Sequence, residues 1–438
     1  MTPPRPAHEA PPRSVALLVN NPFLTDARSW KMASTLAAAG YRVTVVARAE
    51  AGLPARVRQD GFDVLRLAQP DPLARLPRVR LPAGEDAPQA STGLSGRLGS
   101  GLVARAAGLL RGTVGRGIQA ARYTLLTRQW ARAIAREMPQ ADVWQGEQLI
   151  MLPVALELRR RRGGLVVYDA HDLDTQAGRF ARLPAAWRRL LARSERRWAR
   201  AADSVISANG GYAQEQARAW GRVPAVIWNG APDFEPLDPP ERRWHQRLGL
   251  PRGVRVVLYL GLVMPGRGIM ELARAMAYVP DAVLIVAGFG SDYERYRDDA
   301  ASLPHAERVM FPGSVPHDEI LPFVAAADVA AMPVQGDTLN HRLNVPTKLF
   351  DAMAAGVPVV ASDLPGMGPI VRATGCGTLC DPDDPLDIAR AIRWILDASP
   401  EQRAAYRAAC LEASQGTYGW ARQAVTLREL YADLLSER

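Results

Sequence analysis

Short runs of Val, Ile, Leu and Ala, each followed by a stretch with helical periodicity, recur along this chain, break at a proline-rich connector from Ala231 to Pro240, and then start again. In the first half Ser14 to Asn20 (SVALLVN) reads as a buried parallel strand, Ala27 to Ala39 as a helix closed by Gly40, and Tyr41 to Ala47 (YRVTVVA) as the next strand. This is a βαβ unit. Further strands are expected at Asp63 to Leu67, Asp142 to Gln145, Gly164 to Tyr168, Ser204 to Ser207 and Ala225 to Trp228. After the connector the pattern resumes with strands at Val254 to Leu260, Ala282 to Ala287, Val309 to Phe311, Val329 to Met332 and Val357 to Ala361, and a helix from Met270 to Tyr278. Two doubly wound domains leave a cleft facing the carboxyl ends of both sheets, where ligands bind in such architectures.

At 438 residues and 48% hydrophobic content the chain can pack two cores. It contains no apolar run of the roughly 18 to 20 residues a membrane span needs, and its first thirteen residues lack the apolar stretch of a signal peptide, so a cytosolic location is expected. Three cysteines, Cys376, Cys380 and Cys410, are too few for a disulfide framework or a convincing metal site and read as reduced thiols. A formal charge of +9 points to an anionic partner. No acidic residue occurs from Ala87 to Arg136, where eight arginines fall between Arg97 and Arg136, inside or beside an insertion over about 70–117 rich in Pro, Gly and Arg. Either this stretch meets an anionic membrane surface or it is a solvated insertion. A second arginine cluster, Arg188 to Arg200, alternates with Trp187, Leu190, Leu191, Ser194 and Trp198 at helical spacing and reads as the wet face of an amphipathic helix.

The chain has 54 Lys plus Arg, yet only Lys31 and Lys348 are lysines. Lys348 lies in VPTKLFDAMAAGVPVVASD, Val345 to Asp363, where Pro346 and Thr347 start a helix, Phe350, Met353 and Ala354 form its apolar side and Gly356 closes it before a buried strand. A cation in the first turn of a helix is unfavourable unless an anion joins it, and free N–H groups there bind phosphate well. The turn after the first strand of either domain lacks the Gly-x-Gly-x-x-Gly spacing of a dinucleotide site: Asn20 to Arg28 is NNPFLTDAR and Gly261 to Gly268 is GLVMPGRG. A nicotinamide redox enzyme is therefore disfavoured. Gly266 and Gly268 still permit close backbone approach, and Arg267 between them can fork onto phosphate oxygens, so Arg267 and Lys348 compose a diphosphate clamp.

An ordered series of motifs supports a family assignment: DAR at Asp26 to Arg28, YDAHDL at Tyr168 to Leu173, WNGAP at Trp228 to Pro232, LYLG at Leu258 to Gly261, AGFG at Ala287 to Gly290, FPGSVPHDEI at Phe311 to Ile320, AADVAAMP at Ala326 to Pro333, and PTKLFDAMAAGVPVVAS at Pro346 to Ser362. From Ser14 to Leu435 the chain resembles a glycosyltransferase of the GT-B fold, within the retaining GT4 family, in the subgroup with a Pro-x-Lys-Leu-Phe-Asp/Glu donor helix. The resemblance implies an α/β fold of two doubly wound Rossmann-like domains facing across a cleft, with the closing helix crossing back onto the first. It divides the chain into a tail (1–13), an acceptor-side domain (14–230), a linker (231–250), a nucleotide-sugar-binding domain (251–415) and the crossing helix (416–438).

The same resemblance implies roles. His171 matches a histidine beside the donor sugar; Asp172 orients its imidazole or binds acceptor; Asp26 and Arg28 lie on the acceptor-side loop. Phe289, Gly290, Gly313 and Val315 fall on loops that hold the base, and Asn344, Thr347 and Leu349 complete the donor side. Many members carry two glutamates eight positions apart, one for sugar hydroxyls and one for ribose; here these positions are Leu343 and Asp351, so Asp351 is the ribose ligand and sugar recognition must differ, with Asn340, Arg342 and Asn344 as polar neighbours. The usual arginine after the first glycine of the second domain is Leu262. The implied reaction moves a sugar from a nucleoside-diphosphate sugar to a hydroxyl acceptor, on a polysaccharide, lipid-linked or small molecule, with retention and without metal or other cofactor, the departing charge being met by Arg, Lys and a helix N-terminus. No nucleic-acid partner is expected. A non-hydrolysing nucleotide-sugar epimerase and a non-catalytic sugar-nucleotide-binding subunit remain alternatives.

Overall fold

The computed structural model describes residues 12–69, 125–138, 140–181, 183–237 and 241–436. The first sheet is built from β1 (Ser14–Leu18), β2 (Arg42–Arg48), β3 (Arg56–Gln59), β4 (Phe62–Leu67), β5 (Val143–Glu147), β6 (Leu165–Ala170), β7 (Ser204–Ser207) and β8 (Ala225–Val226), in the order β3-β4-β2-β1-β5-β6-β7-β8. All neighbours are parallel except β3 and β4. The second sheet contains β9 (Arg255–Leu262), β10 (Ala282–Phe289), β11 (Val309–Gly313), β12 (Val329–Met332), β13 (Val359–Ser362) and β14 (Gly377–Cys380), ordered β11-β10-β9-β12-β13-β14 and parallel throughout. Parallel strands need crossover helices, which bury both faces of each sheet; β1, β5 and β6 are accordingly buried along their whole length. The order reverses at β1/β5 in one sheet and at β9/β12 in the other, and at such points the loops diverge and leave a crevice at the strand ends.

The crossing helix Trp420–Ser436 places Trp420, Leu427, Tyr431 and Leu435 in the core of the first domain, against Met32 and Leu36 of the helix Ala27–Ala38. Cys376, Cys380 and Cys410 are buried, unpaired thiols. No helix of the described residues is long and apolar enough to cross a membrane.

Two differences from the sequence reading have physical causes. The strand β3 has no apolar run, because an edge strand paired on one side needs little burial; its turn to β4 is made by Asp60 and Gly61, both at positive φ. The helix Ala185–Ala201 forms, but it is turned so that Glu195 and Ala199 face inward while Leu190 is 51% exposed. Glu195 is tolerated there because the Tyr168 hydroxyl donates to its Oε1 at 3.1 Å. The insertion over about 70–117 lies outside the described residues, as do Arg105, Arg111, Arg116 and Arg122; of the acid-free stretch from Ala87 to Arg136 only the part from 125 on is described, in a helix over 125–137 that carries Arg128, Arg132 and Arg136.

Candidate active site

The crevice of the second domain is made by the loop after β9, the segment after β12 and the start of the helix Thr347–Ala354. Pro346 caps that helix without a side-chain hydrogen bond, as proline's fixed φ and missing N–H suit a helix start. Lys348 stands in the first turn, its Nζ 3.6 Å from the centroid of the Tyr259 ring and against Gly261. The Nζ atom is buried and has no hydrogen-bond partner. Burial pulls its pKa well below the ordinary lysine value, Arg267 pushes the same way, and Asp351 opposes them. The Arg267 guanidinium donates only to Met264 Sδ, at 4.0 Å, and forms no ion pair with a described residue. A guanidinium without an ion pair among the described residues, a buried lysine without a hydrogen bond and an open helix start, all at one strand-order reversal, make a site that an anion completes.

Asp351, one turn further along, has its pKa raised by burial to about 6, with Lys31 and then Lys348 drawing it back. Both lysines of the chain thus act on one carboxylate. Thr347 Oγ1 accepts from Asn229 Nδ2 at 2.9 Å, which ties the helix start to the first domain. At the neighbouring strand ends Phe289 is 57% exposed, and Gly313 has open space where a side chain would be. Val315 packs against the core. Asn344 follows the short helix Leu339–Leu343 and its amide donates to the His341 carbonyl at 3.3 Å.

On the facing edge His171 follows β6, and its Nε2 is buried without a partner. Asp172 does not serve the imidazole: its Oδ1 accepts from Asn340 Nδ2 at 3.2 Å across the cleft. Asn340 is the bolt between the domains. Its Oδ1 accepts from the Leu173 amide at 2.9 Å and its carbonyl from the Tyr212 hydroxyl at 3.0 Å. Beside it, Leu343 packs on Gly211, and its carbonyl accepts from Asn209 Nδ2 at 3.2 Å. Asn340 and Leu343 are therefore committed to domain contact, which explains an apolar residue at Leu343 and removes Asn340 from sugar recognition.

Several expected ligands are used internally. Asp26 caps the helix Ala27–Ala38: its Oδ1 accepts from the Ser29 amide at 3.1 Å and its Oδ2 from Asn21 Nδ2 at 2.7 Å. Arg28, 4% exposed, grips Asp169 with two bonds of 2.8 Å and donates to the Ile227 carbonyl at 2.9 Å, so it faces inward. Leu349 is fully buried and its amide donates to the Pro346 carbonyl at 3.0 Å. Gly268 leaves room for the Pro333 carbonyl, Gly290 for that of Val263, and Gly266 for the His341 ring.

Two residues escaped the sequence reading. His341, against Gly266 beside Arg267, holds Asp337 at 2.9 Å through Nδ1, which leaves Nε2 as its remaining ring nitrogen. A histidine four residues after an aspartate on a short helix was the available sign. Glu147, at the end of β5, is buried with Oε1 unpartnered; burial, Asp26 and Asp169 push its pKa well up, with Ser29 and Arg28 opposing. An acid closing the otherwise uncharged strand VWQGE marked it. A cavity of about 740 Å³ lies further along the sheet edge, between Gln335–Asp337, Asp363 and Asp381–Asp387. Its carboxylates repel a diphosphate, so the volume does not compete with the Lys348 site.

Residues 240–410 match the family model described as Glycosyl transferases group 1. The D-inositol 3-phosphate glycosyltransferase 1 of Catenulispora acidiphila is 29% identical over 247 residues, 53% of this chain and 57% of that protein. The D-inositol 3-phosphate glycosyltransferase of Acidothermus cellulolyticus is 32% identical over 219 residues, 47% and 46% of the two chains. The chain thus spans about half the length of the curated relatives it matches. Among solved structures, sucrose-phosphate synthase from Thermosynechococcus elongatus superposes with a TM-score of 0.73 at 20% identity, covering 97% of this chain and all of that one. Anabaena HepE in complex with UDP-glucose gives 0.68 at 18%, covering 96% and 99%. Residues 240–410 accordingly form a glycosyltransferase group 1 domain, and the two-domain fold is GT-B.

Proposed function

We propose that this chain is a retaining glycosyltransferase of the GT4 type, moving a sugar from a nucleoside-diphosphate sugar to a hydroxyl acceptor without a catalytic metal. The observation that carries this reading is the buried, unpartnered Lys348 Nζ beside the unpaired Arg267 and the open start of the Thr347–Ala354 helix, all in the segment that matches the family. Breaking the bond between sugar and diphosphate puts negative charge on the departing phosphate oxygen. Positive groups fixed in place before that charge develops lower the barrier most, because they need no reorganisation. Arg267 forks onto the phosphate oxygens, Lys348 meets the terminal one, and the free amides of the first helical turn take the rest.

Asp351 accepts from the ribose hydroxyls, Phe289 packs on the base, and Gly313 and Val315 shape the loop around it. His171 lies beside the donor sugar, with Nε2 free to bond one of its hydroxyls. His341, oriented by Asp337, takes the sugar-recognition role vacated at Leu343. Retention follows from attack on the face the diphosphate leaves, a phosphate oxygen receiving the acceptor proton.

Incubating the protein with a panel of UDP- and GDP-sugars and candidate hydroxyl acceptors, and measuring free nucleoside diphosphate, tests the reading. Release that depends on acceptor and persists in excess chelator is expected, and Lys348→Ala should lower it roughly a hundredfold or more. Interconversion of the nucleotide sugar without release would identify an epimerase and contradict the proposal, as would release only on addition of manganese or magnesium.

A further inference from the structure

We propose that Lys31 is a positioning residue for the anion site: from the first domain it holds the backbone of Asn229, whose side chain fixes the first turn of the helix that carries Lys348. The inference rests on reading that helix start as the diphosphate site. Lys31 is 4% exposed on the inner side of the helix Ala27–Ala38. Its ammonium donates to the Asn229 carbonyl at 3.3 Å and to the Gly230 carbonyl, and stands 4.9 Å from the centroid of the Trp420 ring. Two convergent carbonyls and one aromatic face suit a compact cation. A planar guanidinium needs its acceptors spread in a plane, which accounts for a lysine in a chain that otherwise uses arginine.

The carbonyls that Lys31 holds belong to the segment where the chain passes from the first domain to the second. The crossing helix returns over the same place: the Trp420 amide donates to the Ala231 carbonyl at 2.9 Å, and a side chain at Gly230 would collide with the Tyr418 carbonyl. Lys31 therefore pins both passages at once. From there the connection is short. The Asn229 amide reaches Thr347 Oγ1 at 2.9 Å, and Thr347 opens a helix whose cap residue offers no side-chain bond of its own. Asn229 supplies the missing side-chain tie.

The arrangement also couples charge. Burial draws the Lys31 pKa down to about 7, Asp351 holding it up and Arg28 adding to the fall. Asp351 acts on Lys348 as well, so the two lysines share one counter-charge across the domain boundary. Loading the anion site with a diphosphate supplies Lys348 with a new partner and leaves Asp351 to Lys31, which tightens the link when the donor is present.

The test uses the full chain with Lys31→Met, Thr347→Val and the double variant, with UDP and GDP as probes in titration calorimetry and hydrogen exchange at the Leu349 and Phe350 amides without nucleotide. Each single change should weaken binding about tenfold and speed exchange at these amides, and the double variant should be no worse than the more damaging single, because all three break one connection. If Lys31→Met does not fold, Asn229→Ser carries the same expectation, since it keeps the carbonyl that Lys31 holds and deletes the amide that reaches Thr347. Additive losses, or exchange at Leu349 and Phe350 that stays at the wild-type rate, would overturn the positioning role. A wild type that binds neither nucleotide would instead defeat the diphosphate reading, and exchange alone would then decide the role of Lys31.

Discussion

Arg28 and Lys348 show how opposite environments separate a structural cation from a functional one. Arg28 is buried, yet each of its three guanidinium nitrogens donates a bond, two to the oxygens of Asp169 and one to the Ile227 carbonyl. Removing one partner of such a pair leaves an unpaired buried charge. Arg28→Ala should therefore cost about 3 to 5 kcal/mol of unfolding free energy, read by urea denaturation, and this far exceeds any effect expected of an acceptor ligand on a surface loop. A variant as stable as the wild type would return Arg28 to the acceptor side. Lys348 has the burial without the bonds, and that deficit marks a ligand position. The sequence singled out Lys348 through its rarity and its place in the helix. It could not separate Arg28 from a ligand, because the partner that satisfies Arg28 lies 141 residues away on another strand.

At the scale of elements, most of the parallel strands were legible because short apolar stretches recur between helical segments, and β7 and β12 fall where the pattern puts them. The edge strand β3 was not, since RVRQ has a single apolar residue; the sign present was the Asp60-Gly61 pair, a favoured two-residue hairpin turn. The helix Ala185–Ala201 forms with Trp187, Leu191, Ser194 and Trp198 on its inner side as the periodicity places them, but Leu190 is exposed and a hydrogen-bonded Glu195 joins the buried face. That choice has a consequence for stability against pH. Burial, with Asp174 adding to it, raises the Glu195 pKa from 4.5 to about 8 while the Tyr168 bond opposes. Between those values the folded chain binds more protons than the unfolded one, so this residue's contribution is full below about pH 4.5 and is lost as pH rises through about 8. Glu195→Gln keeps a neutral side chain of the same shape. Its melting temperature should fall less than that of the wild type between pH 6 and 9, and parallel curves would show that Glu195 does not titrate as described.

Across the whole molecule, the two domains meet through short polar side chains and backbone groups, Asn340 with Asp172, Leu173 and Tyr212, Asn209 with Leu343, and Asn229 with Thr347. Beside Asp172, the charges at this contact are Lys31 and Asp351, and the cleft sets the proposed anion site on one side against His171 on the other. None of these pairings was legible in the sequence, because each joins positions more than a hundred residues apart. Lys348 and Arg267 form the proposed diphosphate site, where burial disfavours the Lys348 ammonium and the ligand supplies its missing counter-charge. Titration calorimetry of UDP and GDP, run at one pH in two buffers of different ionisation enthalpy, tests it directly. At least one nucleotide should bind with net proton uptake, because a dianion restores the ammonium that burial disfavours, and Lys348→Met should abolish the uptake and weaken binding by roughly tenfold to a hundredfold. Binding that is indifferent to buffer and unchanged in Lys348→Met, or no binding of either nucleotide to the wild type, would contradict the claim.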